Sequence, residues 1–139
     1  TSQTYVPLSF PALADLELVN CMNQAVLANG QAYDNGVTCT MDGFYSQMRQ
    51  TDFSRKLDLD VQDTFIDLKR YGIVGIDMES SVILTLSRLM GIRGCVVTLT
   101  TVLENLKASI QGEARKEAER MLCKVVLDGI VQLDKEGKI

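Results

Sequence analysis

The hydrophobic positions along the chain follow helical spacing in some segments and strand-like spacing in others. Apolar residues recur every three or four positions from Leu13 to Val26, with Pro11 before them and Gly30 after them, which predicts a helix. The same helical period returns at about 60–70, 79–90 and 111–134, and Gly72 and Gly91 are the predicted stops of the first two. Short β-prone or apolar runs predict strands at 37–40, 73–76 and 95–102.

This alternation of helices and strands predicts an α/β fold in which helices cover both faces of a central mixed sheet, a three-layer α/β/α sandwich. The chain has 139 residues, of which 46% are hydrophobic and 23% charged, which is typical of one globular domain. We expect it to be soluble, because no apolar run approaches the roughly 18 residues that a membrane span requires. The first residue is not methionine and the start reads as a loop, so we expect a further segment to precede it.

The charged residues and the missing histidine exclude several classes of function. The net charge is −4 and the basic residues are dispersed, which argues against a nucleic-acid or anionic-membrane partner. Without histidine, the chain contains neither a Ser-His-Asp triad, a Cys-His dyad nor a histidine-ligated metal site.

The four cysteines are not spaced as a metal-binding or redox motif. Each of them, Cys21, Cys39, Cys95 and Cys123, lies in an apolar run. We therefore expect buried, reduced thiols and a reducing compartment such as the cytoplasm.

In open α/β sheets, ligands bind at the carboxyl ends of the strands, which directs attention to the residues after each predicted strand. The first such segment, residues 44–49, contains Phe44, Gln47 and Arg49. In extended backbone the carboxamide and the guanidinium would point the same way and match the edge of a planar ring with carbonyls and an N–H. An exposed polar loop is the alternative interpretation.

The second segment follows the predicted strand at 73–76 and contains Asp77, Met78 and Glu79. A carboxylate at this place can accept hydrogen bonds from vicinal hydroxyls, and a methionine offers a soft apolar surface to a sugar. Glu79 in a first helical turn is equally compatible with a capping role. The third segment, residues 98–104, is more typical of a core strand, and no Asp follows it.

Three stretches together resemble the uridine phosphorylases of the nucleoside phosphorylase family. They are YVPLSFPALADLELV, GVTCTMDGFYSQMR and GIDMESSVILTLSRLMGIRGCVV, and the resemblance extends over nearly the whole chain. It implies a nucleoside phosphorylase-like fold of which this chain is the C-terminal half, while the phosphate-binding N-terminal half of the same protein lies outside it.

The resemblance also implies a role for each candidate residue. Gln47 and Arg49 would bind the uracil edge and act in catalysis, and Phe44 would pack on the base. Glu79 would accept from the ribose hydroxyls and Met78 would lie against the ribose. Asp77 would lie at the ribose or base edge, at a position where the family usually has Glu. Glu104 falls near a position where the relatives usually have Arg.

The implied reaction is the reversible phosphorolysis of uridine to uracil and ribose 1-phosphate, a step of pyrimidine salvage. Phosphate is a co-substrate, no cofactor or metal is required, and a homo-oligomer is expected. We expect the chain to be inactive without the missing half. The alternatives are a purine nucleoside phosphorylase or nucleosidase of the same fold, for which the acid after the later strand is missing, and a non-catalytic α/β oligomerisation module.

Overall fold

Helices and strands alternate along the chain in the computed structural model, which describes residues 2–103 and 108–138. The α-helices are α1 (Leu16–Ala28), α2 (Asp52–Lys56), α3 (Val61–Arg70), α4 (Ser80–Leu89) and α5 (Gly112–Lys135). The strands are β1 (Thr38–Thr40), β2 (Gly75–Asp77), β3 (Val102–Leu103) and β4 (Ala108–Ser109). A 3₁₀ turn at Ser2–Thr4 and a π-helix at Phe44–Met48 complete the elements.

The helices predicted at 60–70, 79–90 and 111–134 are confirmed as α3, α4 and α5. Glycines end two of them as the sequence predicts. Gly72 after α3 and Gly91 after α4 have φ of +70° and +69°, a left-handed conformation that costs other residues more than glycine.

The predicted start of the first helix is wrong. Instead of beginning near Pro11, α1 begins at Leu16, because Asp15 takes the N-cap position and its side chain accepts the Leu18 N–H at 3.0 Å. A carboxylate that accepts a hydrogen bond from a free helical N–H favours a helix N-terminus more strongly than proline alone does. The apolar spacing continues upstream of the cap without helical backbone.

The chain divides into two compact units. The first comprises Thr1–Ala12 and Asp34–Met90, and the second comprises Leu13–Tyr33 and Gly91–Ile139. In the first unit β1 and β2 form a parallel pair in which Thr40 lies opposite Asp77, and α4 packs beside β1. The π-helix packs against α2 and α3 in the same unit.

In the second unit the core lies between α1 and α5. Cys21 and Met22 cluster with Leu133, and a second cluster joins Ala25, Val26 and Val125. The two helices approach closely at Gly129, where a Cβ atom would lie 2.7 Å from Met22 Sδ. The Cys21 thiol donates a hydrogen bond to the Gly129 carbonyl at this contact.

The strand predicted at 95–102 is wrong in its extent. In the described part of the chain only Val102–Leu103 is hydrogen-bonded as a strand there, in a short antiparallel pair with β4. Cys95 and Val97 instead pack against the cluster of Cys21, Met22 and Leu133, which explains an apolar run that is not part of a sheet. The chain is thus α/β with small sheets.

The cysteines are unpaired, as expected, but their burial differs. Burial raises the pKa of the thiols of Cys21, Cys39 and Cys95, which keeps them protonated. Cys123 is exposed, which corrects the expectation of burial. It lies two positions before the buried Val125, and two positions on a helix point to nearly opposite faces. No helix in the described residues has the length and apolarity to cross a bilayer.

Candidate functional site

Two polar segments leave the same edge of the β1–β2 pair. The strands run parallel, and their last residues, Thr40 and Asp77, lie opposite each other. The Met41 N–H donates to the Asp77 carbonyl at 2.8 Å, which holds the two strand ends together. The segment with Phe44 and the segment with Glu79 therefore begin side by side, at the strand ends where α/β sheets bind ligands.

Asp77 anchors the start of α4. Its Oδ1 atom accepts the N–H groups of Glu79 and Ser80 at 3.0 and 2.7 Å. It also accepts the Thr40 hydroxyl at 3.1 Å, and that hydroxyl accepts the Ser81 N–H at 3.0 Å. Three N–H groups at the start of the helix are thus satisfied by protein oxygens.

The environment of Asp77 favours its charged form. Burial by itself would raise the pKa of this carboxyl, but hydrogen bonds from Ser80, Glu79 and Thr40 together hold the pKa below its ordinary value. The other oxygen, Oδ2, is buried and has no hydrogen-bond partner among the described residues. Direct contact between Asp77 and a ligand stays a prediction.

Glu79 presents its carboxylate to solvent at the N-cap position of α4. Its side chain does not cap the helix. One oxygen, Oε2, accepts the Met78 N–H at 3.3 Å, and no hydrogen bond to Oε1 comes from the described residues. Oε1 can therefore accept from an incoming donor. Met78 is half-buried beside it. This arrangement suits a pair of hydroxyls on an apolar ring, because the carboxylate can only accept and the methionine covers the adjoining apolar face.

The segment with Phe44 and Gln47 forms the π-helix and is not extended. The expectation that Gln47 and Arg49 point the same way through strand alternation is therefore wrong. Gln47 Oε1 turns back to accept the Gly43 N–H at 2.9 Å, which leaves the Nε2 hydrogens free to donate. Phe44 is 40% exposed and stands edge-on to Tyr45, with ring centroids 5.1 Å apart at 89°. Part of the Phe44 side chain is thus exposed, where it can contact a planar ligand.

Arg49 follows the π-helix in extended backbone, with φ −135° and ψ 125°. Its N–H donates to the Phe44 carbonyl at 2.9 Å, which fixes the backbone. The side chain is exposed, and within the described residues its guanidinium forms neither a hydrogen bond nor an ion pair. Arg49 therefore offers a complete fork of donors to a ligand.

Two residues that the sequence did not single out support this site. Thr40 links Asp77 to α4, and Gln50 holds the backbone just after Arg49 through side-chain hydrogen bonds to Ser54 and Leu59. A polar side chain as the last residue of a strand was the available signal for Thr40. No sequence pattern marks Gln50.

The third predicted segment lies in the second unit and has little regular structure. Thr101 is followed by β3, and its carbonyl accepts the Ile110 N–H at 3.0 Å. Glu104, which the sequence places near this segment, lies outside the described residues. The described residues contain no group of three or more carboxylate and cysteine side chains arranged to hold a metal ion.

Comparisons with known proteins agree with the resemblance in the sequence. A family model described as Phosphorylase superfamily matches residues 1–130. The uridine phosphorylase of Escherichia coli is 27% identical over 130 residues, 93% of this chain and 51% of that protein. That of Thermococcus kodakarensis is 26% identical over 137 residues, 98% of this chain and 48% of the relative. That of Haemophilus influenzae is 29% identical over 128 residues, 91% and 50% of the respective chains. The chain spans about half the length of these curated relatives.

Proposed function

The chain belongs to the phosphorylase superfamily, and we propose that it is the uracil- and ribose-binding part of a uridine phosphorylase. The observation that carries the proposal is the register of β1 and β2. Because Thr40 lies opposite Asp77, the segment with Arg49 and the segment with the exposed Glu79 leave one sheet edge. Among the described residues the Arg49 guanidinium has no partner. A guanidinium can donate to the carbonyls of a pyrimidine base, and a carboxylate can accept from the hydroxyls of a sugar.

The proposed reaction exchanges one bond at the anomeric carbon of the sugar for another. A phosphate oxygen attacks C1′ and forms a C–O bond while the C1′–N1 bond to uracil breaks. The electron pair of that bond moves onto the base, which then takes up, through solvent, the proton that the phosphate gives up and becomes uracil. The products are uracil and ribose 1-phosphate, and the reverse reaction follows the same path.

Arg49 and Gln47 would stabilise the negative charge that develops on the leaving uracil. The Arg49 fork can donate to a uracil carbonyl, and its hydrogen bonds strengthen as the oxygen gains charge in the transition state. The free Nε2 of Gln47 would donate to another carbonyl. Its Oε1 would accept the uracil N3–H by exchanging it for the Gly43 N–H that it accepts now. Phe44 would pack its exposed part on the base.

Glu79 would hold the sugar. Its available oxygen can accept from the 2′- and 3′-hydroxyls of ribose, and Met78 would cover the sugar face. Fixing the ribose orients C1′ toward the attacking phosphate, which is how binding of non-reacting groups contributes to rate. Asp77 would contribute chiefly by setting the position of Glu79, since its Oδ1 already accepts three donors.

The wider context of this proposal follows the family. We propose that the chain is the C-terminal half of the phosphorylase domain and that the other half supplies the phosphate site. In the complete protein β1 and β2 would belong to the central mixed sheet of a three-layer α/β/α sandwich. A homo-oligomer and a cytoplasmic location are part of the same proposal, the latter because all four cysteines are unpaired.

Uracil release tests this function directly. The full-length protein that carries this chain is incubated with uridine, with and without inorganic phosphate, and with inosine as the comparison nucleoside. We expect release of base from uridine that depends on phosphate. Release from inosine but not from uridine would overturn the proposal in favour of a purine enzyme. No base release from either nucleoside would favour a non-catalytic module and would also overturn the proposal.

A further inference from the structure

We infer that Gln50 is a positioning residue that holds Arg49 in place for the base, an inference that rests on the proposed function. Gln50 follows Arg49 directly. Its Nε2 donates to Ser54 Oγ at 2.9 Å and to the Leu59 carbonyl at 3.2 Å. Its Oε1 accepts the Val61 N–H at 3.1 Å. One carboxamide thus joins the residue after Arg49 to three points farther along the chain.

The chemistry of its partners fixes the orientation of this carboxamide. The Leu59 carbonyl can only accept and the Val61 N–H can only donate, so a flipped amide would face each of them with the wrong group. Both donors and one acceptor of Gln50 are used at once. These three hydrogen bonds favour one orientation of an otherwise exposed side chain, and they tie the backbone at Gln50 to Ser54, Leu59 and Val61.

Ser54 provides the buried end of this network. It is fully buried, and its Oγ accepts from Gln50 and from the Thr51 N–H at 2.8 Å while donating to the Thr51 carbonyl at 2.9 Å. The Thr51 hydroxyl then donates to the Tyr45 carbonyl at 2.9 Å, which returns the network to the π-helix. The backbone on both sides of Arg49 is therefore held by hydrogen bonds.

The contrast between the backbone and the side chain of Arg49 points to a ligand. Its N–H is bonded to Phe44 and the next residue is held three times, whereas its guanidinium has no partner among the described residues. A fixed backbone with a free cationic side chain lowers the entropy cost of binding and places the donors before the substrate arrives.

A double-mutant cycle on the full-length protein tests this inference. Gln50→Ala is made alone, in the Arg49→Ala background and in the Glu79→Ala background, and kcat/KM for uridine is measured with saturating phosphate. Since a misplacement of about 1 Å can cost about 10²-fold in rate, we expect Gln50→Ala alone to lower kcat/KM by about 10- to 100-fold. In the Arg49→Ala background the further loss should be within about twofold, because the group that Gln50 positions is gone. In the Glu79→Ala background the full loss should persist.

Two further variants separate positioning from damage to the fold. Gln50→Glu keeps the acceptor for the Val61 N–H and removes both donors, so hydrogen exchange at Val61 should remain slow while kcat/KM still falls. Gln31→Ala removes an exposed glutamine of the second unit and should leave kcat/KM unchanged. The inference is overturned if Gln50→Ala retains normal kcat/KM, or if its loss in the Arg49→Ala background equals its loss alone. The proposed function fails separately, through a wild-type protein that does not cleave uridine.

Discussion

The Thr40 hydroxyl donates to Asp77 Oδ1 at 3.1 Å across the β1–β2 pair. The same hydroxyl accepts the Ser81 N–H at 3.0 Å, so one side chain joins the last residues of two strands to the first turn of α4. Glu79 stands between these contacts. The position of its carboxylate, and with it the proposed sugar site, depends on a threonine that a reader of the sequence would take for an ordinary strand residue.

Replacing this threonine should weaken the first unit. Thr40→Val keeps the shape of the side chain, removes the donor to Asp77 and leaves the Ser81 N–H without its acceptor. The free energy of unfolding should fall by about 1–3 kcal/mol, the usual result of leaving a half-buried polar group unpaired. Urea unfolding measures this change in the free energy of unfolding. Thr38→Val, at an exposed position of the same strand, is the control and should change little. Equal losses in the two variants would contradict the role of Thr40.

The low pKa of Asp77 predicts how stability responds to acid. A carboxyl whose pKa is lower in the folded than in the unfolded state stabilises the fold above its ordinary pKa of 3.8. That contribution disappears as the pH falls through the folded pKa, so stability should decline with acid below 3.8. Asp77→Asn cannot titrate and should show a shallower decline between about pH 5 and pH 1. Urea unfolding across this pH range measures the free energy of unfolding of both proteins. The same pH dependence in the two would contradict the stabilising role of the ionised Asp77.

Arg49→Ala should lower uridine phosphorolysis without unfolding the protein. Losing one donor to a developing anion typically costs about 10²- to 10³-fold in kcat, and the exposed guanidinium holds nothing else in the described residues. Arg49→Lys keeps the charge but loses the fork, and should recover only part of the rate. Arg55→Ala, which removes an exposed arginine paired with Asp52, is the matched control. Steady-state kinetics measure kcat for each variant, and a normal kcat in Arg49→Ala would show that Arg49 does not act in the reaction.

Glu79→Ala should lower the turnover of any ribonucleoside, and Glu79→Gln should retain part of it. A hydrogen bond to a charged group is worth about 1.5–3 kcal/mol, which corresponds to about 10- to 100-fold in kcat/KM. The effect should shrink for 2′-deoxyuridine if that substrate is cleaved, because one of the two hydroxyls is missing. Asp63→Asn, at another exposed carboxylate of the first unit, is the control. An equal loss with uridine and deoxyuridine would argue against contact with the 2′-hydroxyl.

Gly129 gives a prediction for the second unit. Gly129→Ala places a Cβ 2.7 Å from Met22 Sδ and 2.8 Å from Met22 Cε, in a cluster where Met22 is buried. Overpacking costs about 1–3 kcal/mol and better helix propensity returns up to about 1 kcal/mol, so the variant should be modestly destabilised. Thermal unfolding measures this. In a Met22→Ala background the same change should be neutral or stabilising, and an unchanged penalty there would contradict the contact.

The sequence predicted the elements whose signals are local. α3, α4 and α5 follow apolar periodicity, and the glycines after α3 and α4 adopt the expected conformation. The predicted extent of the strand at 95–102 is wrong. An apolar run indicates burial, but it does not show whether a partner strand is present to form hydrogen bonds with it. The predicted start of α1 is wrong because both Pro11 and Asp15 can mark a helix start, and the helix begins after the Asp15 cap.

The sequence predicts a set of candidate site residues, whose roles stay predictions, but it does not predict their geometry. Strand-end reasoning placed Arg49 and Glu79 at one edge, and the register of β1 and β2 agrees with that placement. The π-helix was not foreseen, because a single turn with five-residue spacing leaves no periodic pattern. Nor does a sequence reveal that the side chains of Gln50 and Thr40 bond to other polar groups of the chain, since those contacts exist only in the folded structure.

The short parallel pair also has a consequence for how the protein folds. Thr40 and Asp77 are 37 positions apart, and each strand is only 3 residues long. Closing a loop of this length costs about 3 kcal/mol in chain entropy, more than so few ladder bonds offset by themselves. We expect the pair to form after the π-helix, α2 and α3 have shortened the intervening chain. The edge that carries Arg49 and Glu79 would then form late in folding, and slowed exchange at the amides of β1 and β2 would mark the point at which the proposed nucleoside site is complete.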